Sequence, residues 1–451
     1  MGPKSSEGIT NNMPTMFPSA LSVSRLDGKK LLVIMIIIAV TLTVESQLSM
    51  VADFIPEQLA STTGIMAFIG IWVIFTVTQY YILAYIKQNN KSSKARTPLL
   101  NLMHRIVTVV QYLLVGIIAL NILQILLTQQ YNTFFLYVTM SISYGLWIVT
   151  LGLLAKAFFS WYKSKKNFMV LIFAISMIAY VINGFFGLYG QIDELGKRNL
   201  VITSVDVAVF PESPSTILTV YQTASAIAYV LTWIATVILL RPYIEKFGKI
   251  KFWTIMGVTM VYYLITFPLF TLGYFTPSEN SNAMTNILIF SLSAIFTGIL
   301  FGVAFLSVAR TLKTGTPARN YMIIAAYGFL LFYIAGSALV FQAAYPPYGL
   351  ISVAFTGFSC YLIFNGLYFS AITVSQDASL RQSIRKSVME QSKLLDSIGT
   401  AEMEREVQRI VLTVAKKASS AMVEESGVET SMNESDMKDY LELVIKELKS
   451  K

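Results

Sequence analysis

The sequence predicts an all-α membrane protein: a polytopic bundle of about ten transmembrane helices, both termini on the inner side, and a helical C-terminal tail. Three observations predict it. Hydrophobic residues make up 55% of the 451 positions and charged residues only 13%, whereas a soluble domain carries about 25% charged. The apolar residues fall into runs long enough to cross a hydrocarbon core of roughly 30 Å. Cationic side chains crowd every second connection between those runs. Such a chain excludes a soluble enzyme, a disordered polymer and a secreted disulfide scaffold. One cysteine, Cys360, forms no internal disulfide, and one histidine, His104, cannot build a multi-histidine metal or haem centre.

Ten runs qualify as spans: 31–52, 64–86, 106–127, 133–158, 168–190, 216–240, 252–275, 284–309, 320–341 and 348–373. They divide the chain into an N-terminal segment, 1–30, expected to be mostly disordered, a ten-span domain, 31–373, and a tail, 374–451. The first span is longer than the 7–15 residues of a signal-peptide apolar region and lacks a small-residue cleavage site, so it reads as a retained helix.

Charge sets the orientation. The N-terminal segment and the connections 2–3, 4–5, 6–7 and 8–9, counted with the adjoining helix ends, hold 20 of the 34 lysines and arginines. The opposite loops hold only Lys197 and Arg198. The positive-inside rule places both termini in the cytoplasm. The net charge of +9 is therefore topogenic and faces anionic headgroups. It is no nucleic-acid signal.

Within the spans, Glu45 is the one deep carboxylate. It lies 14 residues after Leu31, about 21 Å along a helix, and reads either as a glutamate wetted from outside or as a cation or proton site. Uncharged polar residues are more frequent. Gln79, Asn121, Gln124, Asn183 and Gln222, with Gln111, Asn286 and Asn365, are either hydrogen-bonded glue between helices or the lining of a polar path. Gly298 and Gly302 form a small-xxx-small pair for close helix packing. Pro268 removes a backbone donor and kinks span 7. His104 reads as a solvated interface residue at the mouth of span 3.

Searches for H-E-x-x-H, G-x-S-x-G, C-x-x-C and the phosphate-binding loop G-x-x-x-x-G-K-[ST] find nothing. No catalytic residue, cofactor or metal site is expected. Lys166-Asn167-Phe168-Met169 and Arg319-Asn320-Tyr321-Met322 match at the starts of spans 5 and 9. They suggest parallel four-helix units, spans 2–5 and 6–9, as in some transporters. In the long outer loop 191–215, the β-branched run Leu200–Phe210 favours a strand or hairpin arm, serving as a lid or a packed cap.

The tail carries 12 basic and 14 acidic residues and reads as three helices. The first, 378–398, continues directly out of span 10. Gly399-Thr400 separates it from the second, 401–424, whose stripe Met403, Val407, Ile410 and Val414 would face a partner. The third follows the capping box Ser431-x-x-Glu434. The tail contains no histidine and cannot be a phospho-accepting dimerisation helix.

The run Leu394–Val407 (LLDSIGTAEMEREV), with Met437–Leu441 (MKDYL), resembles the tails of uncharacterised multi-span membrane proteins of ammonia-oxidising archaea. The resemblance covers the tail and, in outline, the many-helix front end. It implies a cell membrane without an endoplasmic reticulum and brings no activity to any residue.

Three functional readings follow. The first is a non-enzymatic sensor or scaffold, its bundle in the lipid bilayer and its tail engaging a cytoplasmic protein partner or a second copy. The second is a carrier or channel for a small neutral or weakly polar solute. The third is a subunit of a membrane complex. The tail and the scarcity of buried charge favour the first.

Overall fold

The computed structural model describes residues 28–92, 98–204, 206, 216–271, 283–313, 315–340, 342–378, 380–382 and 390–426. The N-terminal segment up to residue 27 and the third tail helix lie outside these, as do most of 205–215 and all of 272–282.

The chain is an all-α bundle. Its helices are α1 (Gly28–Met50), α2 (Pro56–Ala60), α3 (Thr62–Ser92), α4 (Pro98–Thr128), α5 (Phe134–Ser164), α6 (Phe168–Gly196), α7 (Thr216–Leu240), α8 (Ile244–Phe247), α9 (Lys249–Thr271), α10 (Ala283–Thr311), α11 (Pro317–Ala335), α12 (Leu350–Gln376) and α13 (Glu390–Ser426). Nine of them are long and apolar enough to cross a membrane among the described residues: α1, α3, α4, α5, α6, α7, α10, α11 and α12. The remaining expected span, 252–275, corresponds to α9, which runs through Pro268. Apolar side chains such as Val40, Val109, Leu127 and Val258 are more than half exposed, as lipid-facing positions must be when the solvent is hydrocarbon.

One helix is the axis of the bundle. The apolar core of α12 is wholly enclosed, by α11 and α5 over most of its length and by α1 and α4 along other faces. Only Tyr368, Thr373 and Gln376 are not fully buried. A helix buried on every side needs no polar face, which matches the sequence LISVAFTGFSCYLIFNGLYFSAI. Gly328 and Gly366 sit where α11 and α12 approach closely: a Cβ on Gly366 would lie 2.5 Å from the Ala325 nitrogen.

At the end of the bundle away from the lysines, two short strands pair antiparallel. They are β1 (Gln130–Asn132) and β2 (Val201–Thr203), with Tyr131 opposite Ile202. Of the strand expected in 200–210, the described residues form a three-residue arm, Val201–Thr203, partnering the α4–α5 connection; 205 and 207–210 lie outside the described residues. Asp206 closes it by accepting from the Thr203 backbone N–H and hydroxyl, each at 2.8 Å. Those hydrogen bonds hold the Asp206 carboxyl below its usual range.

Three expectations need correction. First, the span expected at 320–341 ends as a helix at Ala335. Residues 336–340 and 342–349 are irregular and almost all buried. Apolar composition signals burial without distinguishing helix from buried loop; here local turns carry several backbone N–H groups, and those of Leu339 and Gly349 donate to Ser49 and Glu45 of α1. Second, α12 does not run on into the tail. It stops at Asp377, which is extended at φ −102°, ψ 101°, and the Asp377 carboxylate accepts from the Leu380 N–H at 2.9 Å. Third, Gly399-Thr400 does not separate two helices, because α13 runs unbroken through both. Gly399 is small for contact: a Cβ there would overlap the side chain of Val374 on α12. A glycine that punctuates and a glycine that permits close approach look the same in sequence.

The two matching segments also differ in the fold. Asn167 caps α6, its side chain accepting from the Met169 N–H at 2.9 Å. Asn320 lies inside the first turn of α11, and its side chain instead donates to the Asn89 side-chain oxygen Oδ1 at 3.2 Å. The motif is not structurally equivalent at its two occurrences.

The Gly399–Val374 contact sets a testable cost. Gly399→Leu overpacks it and should destabilise the full chain by about 1–3 kcal/mol, with Val374→Ala restoring part of the loss. Thermal unfolding in detergent micelles checks both.

Candidate functional site

Two regions bring the sequence-predicted residues into defined surroundings: the start of α12 and the opposite end, where α13 docks.

At the start of α12, Glu45 is fully buried with every hydrogen bond committed. Its Oε1 accepts from the backbone N–H of Gly349 at 2.5 Å and of Ile351 at 3.2 Å. Its Oε2 accepts from the Ser352 N–H at 3.1 Å and from the Ser352 hydroxyl. A helix start carries free N–H groups and the positive end of the helix dipole, so a carboxylate there is stabilised without a cationic partner. Gly349 makes the approach feasible. Its φ of +96° belongs to the left-handed region open to glycine. The neighbouring turn of α1 adds to the joint. Ser46 and Ser337 share a hydroxyl hydrogen bond at 2.6 Å, and Ser49 accepts from the Leu339 N–H at 3.2 Å. Glu45 therefore acts as the N-terminal cap of α12.

The predicted polar residues do not converge. Gln79 on α3 donates to Gln111 on α4 at 2.9 Å. Asn121 is buried, and neither side-chain polar atom has a hydrogen-bond partner among the described residues. Gln124 accepts from the Asn132 N–H at 3.1 Å and so braces β1. The carbonyl oxygens of Asn183 on α6 and Gln222 on α7 are buried without a partner among the described residues. Gly298 and Gly302 both press on α11, where a Cβ would stand 2.8 Å from the Leu330 carbonyl oxygen and 3.1 Å from that of Ala326. His104 is half-buried rather than solvated, with its Nδ1 3.0 Å from the Tyr361 hydroxyl on α12. Tyr361 is one helical turn from Asn365, which donates to it at 3.1 Å.

At the other end, the first third of α13 is built into the bundle. Leu394, Leu395, Ile398 and Ala401 are buried, packed mainly on α12 and α5. Polar contacts fix the register. Lys165 pairs with Asp396 at 3.1 Å, and Asn167 donates to the Ser397 hydroxyl at 2.7 Å. The Trp161 indole N–H donates to Glu402 at 2.7 Å. Burial pushes the Glu402 carboxyl above its usual range, opposed by the Trp161 hydrogen bond and by Arg405. Beyond Glu402 the helix becomes progressively more exposed, with residues 403–406, Gln408 and Leu412 still partly buried. Of the predicted stripe, Met403 is half-buried, whereas Val407, Ile410 and Val414 are 49%, 51% and 61% exposed, joined by Val411.

Sequence reasoning missed Trp161, Lys165, Ser397, Glu402 and Gly399 as docking residues. The signal available was indirect: a basic turn, Lys163 to Lys166, facing a tail whose first acid in the run is Asp396. Comparison with protein-family models, curated proteins and solved structures finds no match for the chain. The fold and these two regions are therefore the ground for any functional conclusion.

Glu45→Ala would leave several buried donors without an acceptor and should cost about 3 kcal/mol or more. Glu45→Gln, which keeps one carbonyl oxygen but turns an amide N–H₂ toward other donors, should cost less than alanine. Thermal unfolding of the two variants in micelles checks the order.

Proposed function

We propose that the protein is a non-enzymatic membrane scaffold or sensor, in which the bundle holds α13 in a fixed place and presents its free length to a protein partner. The positive-inside pattern supports a cytoplasmic position for that helix in a plasma membrane. The observation that carries the reading is the division of α13. Its first third is buried and pinned by Lys165, Asn167 and Trp161, while the same helix goes on to carry Val407, Ile410, Val411 and Val414 exposed at helical spacing. An apolar stripe on an otherwise charged helix is stabilised by being covered. α12 supports the sensing part of the reading. It is one stiff element held by Glu45 at its start and in contact with Gly399 near its end, so a displacement at one end has a packed route to the other.

A second reading, a carrier or channel for a small neutral or weakly polar solute, is supported by a buried hydroxyl cluster. Tyr180 and Tyr333 share a hydrogen bond at 2.5 Å, and Thr232 contacts both Tyr180, at 3.0 Å, and Ser176, at 2.5 Å. This cluster joins α6, α7 and α11 and could hydrate a path.

Truncation separates the two readings only if the docked part stays. Cutting at Asp377 would uncover the lower end of α12, whereas cutting after Arg405 retains every docking contact. A photo-crosslinking residue at Ile410 or Val414, tested in native membranes, should give one defined adduct, and the same residue at Arg409 on the charged side should give none. Val407→Lys should abolish the adduct without changing thermal stability. Equal labelling from both sides, or none from either, would contradict the reading, and solute flux that survives the cut after Arg405 would favour the carrier.

A further inference from the structure

Between α3 and α4, at the same end of the bundle as the docked tail, lies a crevice of about 680 Å³. Its outer part is lined by the exposed cations Lys87 and Arg105, with Asn90 beside them. Its inner part is lined by Leu83, Val109 and Tyr112. Val109 is 67% and Tyr112 50% exposed on the lipid-facing surface. Tyr112 lies seven residues from Arg105, about 10 Å deeper along the helix. The crevice is thus cationic at the level of the headgroups and apolar at the level of the chains.

Among the described residues, no acid lining the crevice compensates its charge, and the sequence from Gln58 to Ile192 contains no aspartate or glutamate. The walls are also held open by built contacts. His104, at the back, is bonded to Tyr361 of α12 at 3.0 Å. Asn90, at the rim, accepts from the Tyr321 hydroxyl of α11 at 3.0 Å. Each helix is thus tied to the central pair, α3 to α11 through Asn90 and α4 to α12 through His104.

We propose that this crevice is a binding site for one anionic membrane phospholipid, its phosphate held between Lys87 and Arg105 and one acyl chain lying along Leu83, Val109 and Tyr112. Basic pockets between membrane helices take phosphate headgroups through this combination of charge and apolar depth. Asn90 supplies a neutral hydrogen-bonding group for the headgroup's polar substituents. Two cations at one phosphate, with no competing carboxylate, favour an anionic lipid over a zwitterionic one, whose own ammonium would meet the same cations. The site is independent of the proposed role of α13, and its bonded walls touch α11 and α12 rather than the tail.

The test uses the full-length protein purified from membranes containing equal phosphatidylglycerol and phosphatidylcholine, with retained lipid read by native mass spectrometry. The wild type should retain one phosphatidylglycerol in preference to phosphatidylcholine. Lys87→Gln with Arg105→Gln should reduce that preference roughly tenfold or more. Lys163→Gln with Lys166→Gln, which removes two exposed cations from another turn at the same end, should leave it unchanged. Ala84→Phe, which fills the crevice while keeping both cations, should also lower retention. Preference that survives the Lys87 and Arg105 changes would overturn the proposal. So would an equal loss from the Lys163 and Lys166 pair, which would mean a diffuse surface charge. Displacement of the lipid by inorganic phosphate alone would also overturn it, in favour of a free-anion site.

Discussion

A helix that begins inside a bundle rather than at its surface has N–H groups that water cannot reach, and a bilayer offers no substitute. The start of α12 is such a place, and Glu45 answers it, taking N–H groups from Gly349, Ile351 and Ser352 together with the Ser352 hydroxyl. Much else follows from that one carboxylate. It allows α12 to be enclosed on every side. It ties α1, which otherwise faces lipid along much of its surface, to the centre of the molecule. It also lets the buried, irregular residues 336–340 and 342–349 fold over the end of the bundle, where the Tyr131 hydroxyl donates to the Ala344 carbonyl at 2.8 Å and the Tyr348 hydroxyl to that of Gly64 at 2.8 Å.

The other end of α12 is closed by the chain's own continuation. After the break at Asp377, Arg381 turns back to donate to the carbonyl oxygens of Val374 and Ser375, which would otherwise be orphaned at the helix end. The first third of α13 then covers the same region with apolar side chains. The central helix is thus capped by a carboxylate at its positive end and by an arginine at its negative end, in the sense the helix dipole favours. The first part of the tail belongs to the packed bundle, and the stripe Val407, Ile410, Val411 and Val414 beyond it is exposed.

How much of this could be read from sequence depends on the range of the interaction. Spans depend on local composition, so their existence and order were legible. The amphipathic spacing of Val407, Ile410 and Val414 was legible for the same reason. Glu45 stood out as a lone carboxylate, yet its partners are backbone N–H groups roughly 300 positions away, which no residue type advertises. Gly399 was misread because its reason is a neighbour on another helix. Residues 336–340 were misread as the end of a span because hydropathy reports burial and not hydrogen bonding. Candidates for helix glue or a polar path, such as Asn121 and Gln222, were visible as polar positions, but their separate surroundings were not.

The enclosure of α12 is the central claim, and the single cysteine reports on it. Cys360 lies at the middle of α12 and is fully buried. Labelling of the native protein in membranes with a membrane-permeable maleimide, compared with labelling after denaturation in detergent, measures whether that position can be reached. An enclosed α12 predicts negligible native labelling and stoichiometric labelling once unfolded. Rapid native labelling would contradict the account, because it would mean that the axis of the bundle is open.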